Sequence, residues 1–274
     1  MHCRSNTQTG RSRGRDWTRE LILKIVLRKV AKYIAALILL AVIALAASIP
    51  LARMERPGDL QPASNEQPLA IDNVTLVTMG DEQLLFDRQL LIRNGIIERI
   101  ESAGTTVGDE YRHIDANGAY LVPGLFDMHV HAMDRKNLVL SLAYGVTSVR
   151  NMGGFPMHLR WKRELAEGRW LGSNLFSATP TMNGKENANP LGEKIVTDPD
   201  KARKLVRRFH GQGWDFIKAY ARLDVPVYEA IVDEAERLDF AVAGHVPYPV
   251  VETDYQLAKP MVTLEHTEDI FQGP

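Results

Sequence analysis

The chain has a single cysteine, Cys3, among its 274 residues. An internal disulfide framework is therefore excluded. So is a metal held by a thiolate cluster, and any bound metal must sit on histidine, carboxylate or a rarer donor. Excess charge of either sign is also lacking. Lys and Arg total 33, Asp and Glu 34, for a formal net charge of −1. With no basic footprint, a nucleic-acid partner is not expected. No short internal repeat is found. What remains is ordinary globular material, 45% apolar and 24% charged, in a chain long enough for one large domain or two smaller ones.

The even charge balance hides an asymmetry. Residues 1–32 carry nine basic side chains against only Asp16 and Glu20. Twenty uncharged residues follow, "YIAALILLAVIALAASIPLA", 33–52. As a helix they would span roughly 30 Å, the thickness of a bilayer core. A basic leader before such a run predicts a transmembrane signal anchor or a signal peptide. The leader then stays on the cytoplasmic side of the inner membrane. The rest of the chain faces the extracytoplasmic (periplasmic) side, anchored there or secreted after cleavage. Residues 53–67, rich in Pro and polar side chains, read as a tether.

From residue 68 the texture is that of short strands. "IDNVTLVTM", "QLLIRNGIIERI" and "RHIDANGAYLV" carry hairpin or turn signals at Asn94-Gly95 and Asn117-Gly118. Residues 68–120 are expected to form a small β-sandwich layer. Beyond Leu121, strand-like runs ("YLVPGLFDMHV", "GVTSVRNM", "NLFSATP", "WDFIKAY", "FAVAGHVP", "MVTLEHT") alternate with amphipathic helical segments. Repeated β-then-α units predict an α/β fold with a parallel sheet or barrel over residues 121–274.

His129 and His131 stand two apart at the end of the first of these runs, and in a strand i and i+2 share a face. Asp127 shares that face as well. Alone, such a pair is either a metal claw or two satisfied polar residues. Lys218, His245 and His266 also sit at the ends of predicted strands. They follow one another by 27 and 21 residues, about one βα unit each, and Lys218 lies 87 residues after His131. Barrel strand ends on this side are where chemistry is placed. The other four histidines, His2, His113, His158 and His210, are read as surface or structural. A lysine beside a metal is repelled as an ammonium, but a neutral amine can take up carbon dioxide and become a bridging carbamate. The alternative is a lysine whose head snorkels out at the rim. Spacing alone leaves both readings standing.

Five stretches in order, "DANGAYLVPGLFDMHVH", "GVTSVRNMGG", "WDFIKAY", "AGHVP" and "LEHTED", resemble the strand-1, -2, -4, -5 and -6 motifs of the metal-dependent amidohydrolase superfamily. The likeness is to its imidazolonepropionase-like and prolidase-like branch, and it covers roughly residues 69–274. The resemblance implies a (β/α)8 TIM-type barrel, of which about six units are present, and a two-metal hydrolase, most often with zinc. His129 and His131 would hold the buried metal, and His245 and His266 the second. Lys218, carbamylated, would bridge the two. Tyr220, two residues past Lys218, would hydrogen-bond the substrate carbonyl. The loop at residues 181–194 and Arg150 lie near the same rim and could meet substrate, Arg150 by holding a carboxylate, while a structural role for Arg150 at the barrel mouth stands equally open.

The resemblance also has departures. Asn151 stands where the family often has Asp. Residues 121–274 number 154, whereas a full barrel takes ~250, and nothing matches the strand-8 Asp that binds the buried metal and shuttles the proton. The chain thus reads as a fragment or truncated copy. The expected activity is hydrolysis of a C–N bond in a small amide or dipeptide. The alternatives are a cyclic-amide hydrolase or deaminase of the same superfamily, or an inactive metal-binding product. Self-association is left open.

Overall fold

The computed structural model describes residues 13–51, 60–63, 67–81, 84–186, 189, 192–253, 258 and 260–266. The chain divides into two compact units, Met1–Asp59 and Leu60–Pro274.

The first unit contributes one helix, α1 (Arg13–Leu51). Among the described residues no helix is long and apolar enough to cross a membrane. The transmembrane expectation for residues 33–52 is thus not met within them, for a reason of length. Described side chains in α1 run from 21 to 45, so they take in only the first thirteen positions of the uncharged run. Thirteen helical residues rise about 20 Å, short of a bilayer core. Windows extended backwards meet Arg28, Lys29 and Lys32. The side chains of residues 46–52 lie outside the described set, as does most of the expected tether.

The second unit opens with β1 (Leu69–Val77), β2 (Leu84–Arg93), β3 (Ile96–Ser102), β4 (Arg112–Asp115) and β5 (Tyr120–Leu121). These form a single sheet in the order β3-β2-β1-β4, with β5 also on β1. The β-sandwich expectation is corrected here: among the described residues there is one sheet, with apolar clusters around Ala70 and Leu91 and around Val74 and Leu90. Leu90 and Leu91 are neighbours in a strand and so point to opposite faces. The β2–β3 hairpin turns at Asn94 (φ 53°) and Gly95 (φ 75°), the two positive values that a type I′ turn requires.

Next come β6 (Leu125–Val130), α2 (Arg135–Ala143), β7 (Val146–Asn151), α3 (Pro156–Ala166) and β8 (Asn174–Ser177). Two short strands follow, β9 (Thr181–Asn183) and β10 (Glu193–Ile195). After them come α4 (Pro199–Gly211), β11 (Ile217–Ala219), α5 (Val225–Arg237), β12 (Val242–Gly244), α6 (Tyr248–Thr253) and β13 (Thr263–Leu264). All pairings among β6 to β13 are parallel. β6-β7-β8 make one sheet and β10-β9-β11-β12-β13 another, and a bridge between Ala178 and Phe216 links the two. Six consecutive βα strands therefore run side by side, as the alternating pattern predicts. The ladder bends back on itself: His129, at the end of β6, lies 2.6 Å from Glu265, just past β13. No backbone ladder joins β13 to β6 among the described residues.

Local chemistry explains the helix starts. Asp134 accepts from Lys136 N at 3.0 Å, while its own N–H donates to Asn137 Oδ1 at 3.0 Å, a capping pair that opens α2. Asp198 accepts from Lys201 N at 2.8 Å ahead of Pro199, opening α4. The main core lies between the second sheet and the helices α4 and α5, around Val206, Phe209, Ile217, Tyr228 and Ile231.

One glycine is sterically required. Gly244 has φ +137°, and a Cβ there would stand 2.1 Å from the Ala219 carbonyl oxygen. Both strain and clash oppose a side chain at the residue that delivers His245. Gly244→Ala is expected to lower stability by at least about 2 kcal/mol, read as a shifted urea midpoint. An unchanged midpoint would sink this account of β12.

Candidate active site

Each sequence-predicted ligand sits at the C-terminal end of a parallel strand. His129 and His131 are at the end of β6, Lys218 lies within β11, and Tyr220 follows it. His245 follows β12, and His266 follows β13. The structure brings the four imidazoles together. Ring centroids of His129 and His131 are 5.3 Å apart, those of His129 and His266 4.7 Å, and those of His245 and His266 4.8 Å. The Tyr220 ring lies 4.3 Å from that of His245. Lys218 is 2% exposed, which rules out a head that snorkels to the rim. His131, Lys218, Tyr220, His245 and His266 line one cavity of about 450 Å3, the size range of small-molecule sites.

The surroundings favour the neutral form of His131. His131 opens onto the cavity, yet desolvation by the surrounding protein lowers its pKa below the usual histidine value. The neighbouring His129, Lys218 and His266 push it in the same direction. A neutral imidazole is the form that ligates metal. His129 Nδ1 faces Glu265 Oε2 at 2.6 Å. When that nitrogen carries the proton, Nε2 remains as the lone-pair donor.

Among the described residues, no group of three or more His, Cys, Asp or Glu side chains is arranged to hold a metal ion. The imidazoles form a chain of neighbours, His131–His129–His266–His245, and the fifth basic group is a lysine. Imidazole nitrogens are donors that a divalent cation accepts, and the lysine amine becomes one only once it has lost its proton. Asp127 turns to the backbone instead, its Oδ1 accepting from His129 N at 3.1 Å.

Arg150 takes part in a structural network, one of the two roles that the sequence reading leaves open. It is absent from the cavity lining. Its Nε donates to Met128 O at 2.7 Å and its Nη1 to Thr263 Oγ1 at 2.9 Å, while its Nη2 pairs with Glu265. The guanidinium also lies 5.5 Å from the Phe216 ring centroid. Arg150 thus ties β6, β7 and β13 together, in line with the structural alternative. The resemblance that points to Arg150 says nothing about its partner 115 residues away.

Two buried residues missed as site components hold the segment after His131. Asn151 Oδ1 accepts from Ala132 N at 2.9 Å, and Ala132 O accepts from His158 Nε2 at 2.7 Å. Phe155 N donates to His158 Nδ1 at 2.9 Å. That bond makes Nδ1 the acceptor and Nε2 the protonated nitrogen. Burial holds the His158 pKa below the usual histidine value. A histidine whose folded pKa is depressed contributes stability that is complete above the unfolded pKa, and it loses that contribution as pH falls. The urea midpoint is therefore expected to drop as pH is lowered below about 6.5, and His158→Gln should flatten that part of the curve. An equally steep curve in the variant would contradict this assignment.

No protein-family profile matches the chain. Curated relatives are adenine deaminases: adenine deaminase 3 of Rhizobium johnstonii, 30% identical over 103 residues (37% of this chain and 17% of that protein), and adenine deaminase of Methanococcoides burtonii, 35% identical over 80 residues (27% and 13%). Among solved structures, the bottromycin amidohydrolase superposes with TM-score 0.63 at 25% identity, over 73% of this chain and 43% of that one. The chain is thus similar in fold and sequence to proteins of the amidohydrolase superfamily. A chain described as a prolidase from Bifidobacterium longum shares the fold, with TM-score 0.61 at 22% identity over 77% of this chain and 60% of that one. The chain thus spans less than two thirds of the length of each of these proteins.

Proposed function

We propose that the chain carries the greater part of a divalent-metal site, most simply two zinc ions, in a hydrolase that cleaves C–N bonds of small amides or dipeptides. The convergence of four imidazoles and a buried lysine at the ends of parallel strands carries this reading, and the six βα units are those of a (β/α)8 barrel. His129 and His131 would hold one ion, His245 and His266 the other, and carbamylated Lys218 would bridge them. When bound, such a pair polarises a carbonyl and lowers the pKa of water. The chain's own contribution is placement. Tyr220 OH, beside His245, donates to the carbonyl oxygen of the substrate and stabilises negative charge growing there. Glu265 orients His129, and the Asn151–His158 pair fixes the backbone that follows His131. The cavity limits the substrate to a few residues' worth of atoms. Export directed by residues 1–52 would place this chemistry on the outer side of the cytoplasmic membrane.

A second reading, deamination of a purine base, rests on the curated relatives, which carry the name adenine deaminase. Both readings break a C–N bond by adding water, and their products separate them. The purified chain, reconstituted with zinc, is assayed on a panel of dipeptides and simple amides and, in parallel, for ammonia release from adenine. Cleavage of the panel supports the first reading, and ammonia from adenine alone supports the second. Failure of the chain to bind zinc would overturn both.

A further inference from the structure

The cavity has a second pole that the histidine cluster does not use. Glu193 lies on β10, where it pairs with Thr181 of β9, and both residues line the cavity. Its position is therefore set by a strand ladder. Oε2 is held by Asn183 Nδ2 at 2.9 Å and by the backbone N–H of Asn189 at 3.1 Å. Oε1 has no hydrogen-bond partner among the described residues, and no cation there pairs with the carboxylate. Glu193 is the only carboxylate of the described lining. The Phe155 ring faces the same wall: a methyl on the adjoining Gly192 would stand 3.8 Å from its edge. A carboxylate fixed through one oxygen, with an aromatic ring beside it, is a receptor for an alkylammonium.

The complementary feature is lacking. No arginine lines the cavity among the described residues. Arg150 is spent inside the sheet. The Arg222 guanidinium lies 4.8 Å from the Tyr248 ring centroid and 3.5 Å from Glu186. Lys218 belongs to the cluster at the base. A substrate carboxylate would find no guanidinium fork and would meet Glu193 as a like charge. The strand order β10-β9-β11-β12-β13 puts the acid at one end and His245 and His266 at the other, with Tyr220 between them.

We infer that Glu193 selects amide substrates bearing a cationic amine, holding the ammonium at the β10 side while the carbonyl faces Tyr220 and the histidines. The inference deepens the C–N hydrolase reading and rests on it for the bond that is cleaved.

Three ligands of nearly equal size isolate the charge: glycinamide (cationic), propionamide (neutral) and malonamate (anionic). Their equilibrium binding to the full chain is measured by titration, without turnover. Glycinamide is expected to bind about tenfold more tightly than propionamide and malonamate more weakly than either, since one charge-assisted hydrogen bond contributes on that order. Glu193→Gln should bring glycinamide and propionamide within about twofold. A second measurement needs no variant. An α-amino group loses its proton near pH 8, so the preference should vanish for the unaltered chain at pH 9.5. Equal binding of glycinamide and propionamide at pH 7, tighter binding of malonamate, or a preference that survives both Glu193→Gln and pH 9.5 would overturn the inference. Selective glycinamide binding without hydrolysis of any amide would sink the hydrolase reading and leave the role of Glu193 intact.

Discussion

Arg150→Met is expected to destabilise the fold by about 3–5 kcal/mol, the usual cost of leaving one member of a buried ion pair behind. The Arg150 and Glu265 side chains are 12% and 7% exposed. Burial works to raise the Glu265 carboxyl pKa, but hydrogen bonds from His129 and Thr263 and the charge of Arg150 outweigh it and hold the group below the usual carboxylate value. Without the guanidinium, that balance tips. The carboxylate must then stay buried with less compensation or take up a proton and weaken its hold on His129. For a unit of this size the loss corresponds to roughly 6–20 °C in Tm, read by thermal denaturation. The double variant Arg150→Met with Glu265→Leu removes both charges and should recover most of the loss, because an apolar pair carries no desolvation penalty. A drop below about 1 kcal/mol for the single variant would show that the pair does not brace the sheet. A rim arginine reserved for substrate would change KM and leave Tm alone.

Lys218→Met should cost metal. Methionine keeps the length of the side chain and cannot form a carbamate, so it tests the proposed bridge with little change in volume. Zinc retained after gel filtration is expected to fall by about two orders of magnitude in affinity, with hydrolysis falling at least as far. Reconstitution of the unaltered chain should speed up with added bicarbonate, and that of the variant should not. If Lys218→Met keeps two equivalents of zinc, the bridging role is wrong, and a one-ion deaminase site becomes the better reading. Circular dichroism separates loss of metal from loss of fold.

Much of this was open to a reader of the sequence because it depends on period and spacing. Residues at i and i+2 on β6 had to share a face, and one βα unit had to separate Lys218 from His245 and His245 from His266. The parallel order of the sheet followed from the same alternation. What escaped depends on partners far away in sequence. Nothing near Arg150 points to Glu265, and Asn151 and His158 look unremarkable until Ala132 stands between them. The short strands β9 and β10 escaped because three residues make no period, and α2 because its apolar stripe is weak and its cap lies in Asp134 and Asn137. The sandwich was inferred from several short strands, but strand count does not say whether two sheets form or one. The apolar run at 33–52 has a clear sequence pattern, whereas only its first part falls among described side chains.

The contact between β6 and the segment after β13 bears on the order of events during folding. His129 and Glu265 are 136 residues apart, and Arg150 and Glu265 are 115 apart. Contacts of such separation form after local ones, because the entropy of closing the loop must first be offset by the elements between. The helices and neighbouring strand pairs can therefore assemble while the histidines are still scattered. The imidazole cluster comes together only when the last of the six strands docks. A nascent chain emerging from the ribosome holds these side chains apart, and the cluster is completed in a single late step.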